Sequence, residues 1–230
     1  MTQFFAKSWV GLAALAILAM ATQPAVAQRG GGRGFGMGMR PVARAQLATL
    51  SEVQTELKES DEQKSKIKEI SDQLTSDRQG LYGGGGDRTE AMKKADQLNN
   101  DASAKVDALL DSPQQKRLLE ISIQVNGVST LSDAAVQEQL KLTDDQKKKL
   151  EDVRQENQQA AFDVFTNGGG GSREEMRAKM DDLRKSGTEK LMEVLTDQQK
   201  TEFDTLKGAP LTVDLSPLRP QRGGGGRPNN

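Results

Sequence analysis

The chain has 230 residues and a formal net charge of −1, with no cysteine, no histidine and only 3% aromatic residues. Without these residues it cannot form disulfide bonds, imidazole-based nucleophilic triads or the ordinary histidine and cysteine sites for zinc and copper. We therefore expect no enzymatic activity and no cofactor. Few aromatic side chains also imply a thin aliphatic core, which favours an extended helical assembly over a compact globule.

The first 27 residues have the pattern of a secretory signal peptide. Lys7 precedes an apolar run at 10–21, and Ala25-Val26-Ala27 supplies the small residues of a cleavage site before Gln28. The apolar run is shorter than a membrane span requires. We predict cleavage near Ala27 and a mature protein that is periplasmic or secreted.

Basic segments flank an acidic body. Residues 28–44 hold four arginines and no acid, and residues 208–230 hold three arginines and one aspartate, whereas residues 45–207 have a net charge of −8. Both flanking segments are rich in glycine, so we predict that they are disordered tails. They would suit tethering to an anionic envelope polymer. Nucleic-acid binding is the weaker alternative, because no Tyr or Trp lies between the arginines.

The body has apolar residues at helical spacing and no convincing strand, which predicts an all-α fold. In the first half these residues predict four helices, marked in order by Leu47, Leu50, Val53 and Leu57, by Ile67, Ile70 and Leu74, by Met92, Leu98, Val106 and Leu109, and by Leu118, Leu119 and Ile121. The second half follows the same plan. A tetraglycine in each half, 83–86 and 168–171, separates two long amphipathic segments and predicts a helical hairpin on either side of 127.

A five-residue signal occurs four times in the body and indicates an internal duplication. Its copies are Ser-Asp-Glu-Gln-Lys at 60–64, Ser-Pro-Gln-Gln-Lys at 112–116, Thr-Asp-Asp-Gln-Lys at 143–147 and Thr-Asp-Gln-Gln-Lys at 196–200. The first and third copies lie 83 residues apart and the second and fourth lie 84 apart. We predict two tandem repeats, at 45–127 and 128–207.

Each copy has the spacing of a capping box, in which a hydroxyl caps a helix and a glutamine three residues later bonds back to the cap. The predicted caps are Ser60, Ser112, Thr143 and Thr196, and their glutamines are Gln63, Gln115, Gln146 and Gln199. Taken singly, such a box indicates only where a helix begins.

Two copies extend to a longer motif, because Leu142 precedes Thr143 and Gln146, and Leu195 precedes Thr196 and Gln199. The sequence Leu-Thr-x-x-Gln resembles the LTxxQ signature of the Spy/CpxP family of helical proteins of the bacterial envelope. The resemblance covers roughly residues 57–207. In the other two copies, Glu59 and Asp111 stand where the leading leucine is expected.

The resemblance implies helical hairpins that dimerise into a curved cradle. It also implies ATP-independent binding of non-native proteins, or damping of an envelope-stress sensor. Because this chain has four copies of the signal, a cradle within one chain is an alternative to a dimer. A scaffold tethered by its basic tails is the alternative function.

A shallow apolar strip could hold clients through methionines, whose thioethers adapt to varied partners. The candidate residues for such a strip are Met92, Met176, Met180 and Met192. Core packing is the competing explanation for methionines at this spacing.

Overall fold

A computed structural model of the chain describes residues 41–82, 88–167 and 172–218. The predicted signal peptide, most of both predicted tails and the two tetraglycines lie outside these ranges. The described residues form helices and no strand, so the predicted all-α class is confirmed for this part of the chain.

Each half contains two long helices in its middle, and shorter helices lie before and after them. In the first half they are α1 Arg44–Leu47, α2 Ser51–Leu57, α3 Asp61–Tyr82, α4 Arg88–Asp107 and α5 Ser112–Asn126. A 3₁₀ segment, Gly127–Ser132, leads into α6 Ala134–Gln139, α7 Asp144–Asn167, α8 Arg173–Glu193 and α9 Asp197–Thr205. The apolar residues from Leu47 to Leu57, expected on one helix, are divided: Leu47 ends α1, Val53 and Leu57 lie in α2, and Leu50 lies between the two helices.

The long helices pack in two pairs, α3 with α4 and α7 with α8. Both pairs are antiparallel, because the first turn of α3 bonds to the carbonyl of Leu109 beyond the end of α4, and the first turn of α7 bonds to the carbonyl of Val194 beyond the end of α8. Each helix contributes an apolar stripe to its pair and leaves charged residues in solvent.

Two hydrophobic cores form, and α5 belongs to both. The first contains residues of α1 to α5, and its most buried members include Leu47, Val53, Ile67, Val106, Leu118 and Ile121. The second contains residues of α5 to α9, including Ile123, Val136, Leu150, Leu195 and Phe203. Leu118 and Ile121 of α5 face the first core, whereas Leu119 and Ile123 face the second. Successive helical residues point about 100° apart, so one helix can serve two cores.

Arg44 is buried, although it was expected in the disordered leading tail. Its guanidinium donates to both carboxylate oxygens of Asp107, at 2.9 and 2.8 Å, and to Asp133 at 3.0 Å. Asp107 ends α4 and Asp133 caps α6, so this ion cluster joins the two halves. Burial raises the pKa of the Asp107 carboxyl, and the Arg44 guanidinium lowers it in part.

The predicted boundary of the trailing tail also differs. Leu211, Val213, Leu215 and Leu218 pack against the first core, in a segment that was assigned to a disordered tail at 208–230. The apolar residues of this segment gain burial by covering the helices, which is why the first part of the tail is ordered.

We predict that Arg44→Ala lowers the free energy of unfolding by about 3 kcal/mol, because it leaves Asp107 and Asp133 partly buried without a counter-ion. Urea denaturation followed by circular dichroism measures the loss. Arg184→Ala is the control, since Arg184 pairs with Asp181 in solvent and should change stability by less than about 0.5 kcal/mol. Equal losses in the two variants would contradict the role assigned to Arg44.

Candidate functional site

The repeated motif lies where four helices begin, and each copy forms a reciprocal capping box. The cap oxygen accepts from the backbone N–H three residues on, and the glutamine Oε1 accepts from the backbone N–H of the cap. The pairs are Ser60 with Gln63, Asp111 with Gln114, Thr143 with Gln146 and Thr196 with Gln199. The predicted caps at Ser60, Thr143 and Thr196 are therefore confirmed.

The prediction of a cap at Ser112 is wrong by one residue. Asp111 has extended backbone and caps α5, while Ser112 and Pro113 are the first two residues of the helix. Proline is tolerated there because the first helical N–H groups have no partner within the helix. Gln115, predicted to close the box, instead donates to the carbonyls of Asp107 and Leu110. In this frame Leu110 takes the place of the motif's leading leucine.

The glutamines of the first half bond to each other across two helix starts. Gln63 Nε2 donates to Gln114 Oε1 at 2.9 Å and to the carbonyl of Leu109 at 2.8 Å. In return, Gln114 Nε2 donates to the carbonyl of Leu57 at 2.9 Å. Each side chain therefore closes its own capping box and also binds the chain that precedes the other helix.

The second half repeats this geometry with the glutamines of the two full LTxxQ motifs. Gln146 Nε2 lies 2.7 Å from Gln199 Oε1 and 3.0 Å from the carbonyl of Val194. Gln199 Nε2 donates to the carbonyl of Leu140 at 3.1 Å. These pairs contain neither a nucleophile nor an ionisable group, so their chemistry is positional: they fix where two helices start relative to each other.

The residue before each cap is buried, and one of the four is charged. Leu110, Leu142 and Leu195 occupy this position in three copies, and Glu59 occupies it in the first with only 6% of its surface exposed. Both Glu59 carboxylate oxygens are buried without a hydrogen-bond partner. Burial raises the pKa of Glu59 from 4.5 to about 7, although the charge of Lys64 acts in the opposite direction.

None of the four candidate methionines is fully exposed. Met180 is buried, Met192 packs against the second core, and Met92 and Met176 are half-buried. Their positions favour packing, and their contact with clients stays a prediction.

Two amides near the end of α5 bind the main chain of segments outside the helices, and no signal noted in the sequence indicated these contacts. Asn126 Oδ1 accepts from the N–H of Val42 at 2.8 Å, and its Nδ2 donates to the carbonyl of Val42 at 3.0 Å. Gln124 Nε2 donates to the carbonyls of Lys207 and Ala209, and its Oε1 accepts from the N–H of Leu211 at 2.9 Å. We name residues 209–218 the strap.

A polar cleft of about 370 Å³ lies between α4, the 3₁₀ segment and α7. Its charged residues are Lys93, Asp96, Lys147, Glu151 and Arg154, and an ion pair of 2.7 Å joins Arg154 to Asp96 across the two halves. Both signs of charge line the cleft, so it has no evident preference for an anion or a cation.

Within residues 41–82, 88–167 and 172–218, no group of acidic side chains is arranged to hold a metal ion. Over the same ranges, no helix is both long and apolar enough to cross a membrane. Comparisons with protein-family models, curated proteins and solved structures returned no match to this chain.

We predict that Asp111→Ala costs about 1 kcal/mol of unfolding free energy, as do Thr143→Ala and Thr196→Ala, because each removes a cap acceptor. Ser112→Ala is the control for the corrected frame. Ser112 is exposed and does not cap the helix, so Ser112→Ala should change the free energy of unfolding by less than about 0.5 kcal/mol. If urea denaturation shows a larger loss of unfolding free energy for Ser112→Ala than for Asp111→Ala, then Ser112 is the cap of α5.

We predict that Glu59 makes the protein less stable as pH rises. Because folding raises the pKa of Glu59 from 4.5 to about 7, the folded chain binds this proton more tightly than the unfolded chain. Its contribution is full below pH 4.5 and is lost as pH rises through 7. Glu59→Leu, which installs the residue of the equivalent position 142, should stabilise the protein at pH 8 by about 1–3 kcal/mol.

The measurement is urea denaturation at pH 5 and pH 8. Glu59→Gln is the control, because it removes the titratable carboxyl but keeps a buried polar group. It should reduce the pH dependence of stability without reaching the stability of Glu59→Leu at pH 8. If both variants keep the wild-type difference between the two pH values, another group is responsible for it.

Proposed function

We propose that this is an exported, non-enzymatic, ATP-independent chaperone or envelope-stress adaptor of the Spy/CpxP type. The observation that carries the proposal is the position of the two full LTxxQ motifs, which begin α7 and α9 and are joined through Gln146 and Gln199. Residues of the two motifs bond to one another across the starts of two helices, which supports treating the two motifs as one structural unit.

The proposed architecture is two tandem helical hairpins that arose by internal duplication. Lys58 and Lys141 support it, because these residues lie 83 apart and both have left-handed backbone, with φ of 52° and 50°. Left-handed backbone is uncommon for a residue with a side chain. The glutamine pair of the first half, Gln63 with Gln114, matches that of the second half. On this proposal one chain holds both halves of a cradle.

Client binding needs apolar surface, and the described part of the chain exposes little. Among the large hydrophobic residues whose side chains the structure describes, Phe162 alone is exposed, at 42%. Charged and neutral polar side chains cover most of the remaining outer faces of the long helices. A chaperone with this surface either binds clients weakly through charge or uncovers apolar surface when it binds them.

The test is light scattering of α-lactalbumin aggregating after reduction with dithiothreitol, a reductant that cannot act on a chain without cysteine. Two forms are compared, residues 28–230 and residues 41–218. Suppression of aggregation by both at equimolar ratio would place the activity in the helical body. Suppression by neither would refute the chaperone, and suppression by the longer form alone would assign it to the basic segments.

A further inference from the structure

Residues 211–215 of the strap lie on the helical body with alternating side chains, and Ser216–Leu218 end the strap as a short 3₁₀ helix. Leu211, Val213 and Leu215 are half-buried against the first core, whereas Thr212 and Asp214 between them are exposed. Alternation of this kind is the natural pattern of extended backbone, in which successive side chains point to opposite sides. The surface beneath the strap therefore accepts apolar side chains at every second residue.

The polar contacts at the start of the strap are made to main-chain atoms. Gln124 binds the carbonyl of Ala209 at 2.8 Å and the N–H of Leu211 at 2.9 Å, and Arg117 binds the same Ala209 carbonyl at 2.8 Å. Every polypeptide has these main-chain groups. A surface that bonds to backbone and takes apolar side chains at alternate positions can bind extended segments of many sequences.

We propose that the surface beneath the strap is a client site, which binds an extended segment of a non-native protein with apolar residues at i, i+2 and i+4. The strap is its resident occupant and the client must displace it. This inference rests on the proposed chaperone function and names the site where that function would act.

The burial of the strap is intermediate, which suits an occupant that can be exchanged. Its apolar residues are half-buried, whereas residues of the first core such as Leu47 and Ile67 have no exposed surface. The strap follows Gly208, which has φ of +59° and lies against Glu120. A side chain there would be strained, so the turn that brings the strap onto α5 depends on glycine.

The strap competes strongly because it is tethered. A segment joined by a short linker has an effective concentration of about millimolar, so a free peptide of equal intrinsic affinity binds poorly until the strap is weakened. Weakening the strap should therefore raise the affinity for a peptide supplied separately.

The experiment uses the full mature chain, residues 28–230, and a fluorescently labelled peptide of residues 208–218. Fluorescence anisotropy measures binding to wild type, Val213→Asp and Thr212→Asp. The two variants introduce the same side chain one residue apart, on the covered and on the exposed side of the strap. We expect Val213→Asp to bind the peptide at least tenfold more tightly than wild type, and Thr212→Asp to stay within twofold.

Two controls distinguish binding at this site from non-specific binding of the peptide and from unfolding of the variant. A shuffled peptide of equal composition, with its leucines and valine adjacent, should bind the Val213→Asp chain at least tenfold less tightly. Val213→Ala, a milder change, should give a smaller increase in affinity while its circular dichroism spectrum matches wild type. Equal peptide affinity in the Val213→Asp and Thr212→Asp chains, or equal binding of the shuffled peptide, would overturn the proposal.

A dimeric wild type that Val213→Asp dissociates would also overturn it, because the occupant would then be the strap of a second copy. Failure of the site and failure of the chaperone are distinguishable. Selective peptide binding without suppression of aggregation would support the binding site beneath the strap and refute the chaperone function. Suppression of aggregation without selective peptide binding would support the chaperone function and refute the binding site.

Discussion

The fold depends on the paired glutamines at the helix starts. A capping box alone needs only an acceptor, and α8 shows this with Ser172 and Glu175, where a carboxylate closes the box. The paired boxes need more, because the same side chain must also donate to its partner and to a backbone carbonyl. An amide has both donors and acceptors, whereas two facing carboxylates would repel each other. This requirement explains why glutamine closes each of the four paired boxes.

The second constraint is the small number of apolar side chains. The chain compensates because single elements contact more than one part of the fold. Each half has a small aliphatic core, and α5 supplies residues to both. Arg44 reaches carboxylates in both halves from α1. The strap then covers part of the first core with residues from beyond α9. A chain without disulfides gains its stability from such shared contacts, each of which immobilises more than one element.

Local signals in the sequence predicted the helical class and three of the four caps, because periodicity and capping are short-range properties. The frame at α5 was missed because Asp111 and Ser112 are adjacent and both residue types are good caps. Burial of Arg44 was missed because its partners lie 63 and 89 residues away. The alternation Leu-Thr-Val-Asp-Leu at 211–215 could have indicated the strap, but proximity to the arginine-rich end favoured assignment to a tail. The predicted signal peptide and the remaining residues of the two predicted tails, 28–40 and 219–230, lie outside the described residues.

Sharing α5 between two cores has a consequence for how the protein opens. Tandem repeats that touch only at an interface can unfold one at a time, and each then forms a separate unit in hydrogen exchange. Here, loss of either core exposes one apolar side of a helix that the other core still needs. The amides of α5 should therefore be among the slowest to exchange, and their opening should coincide with global unfolding rather than with fraying of either half.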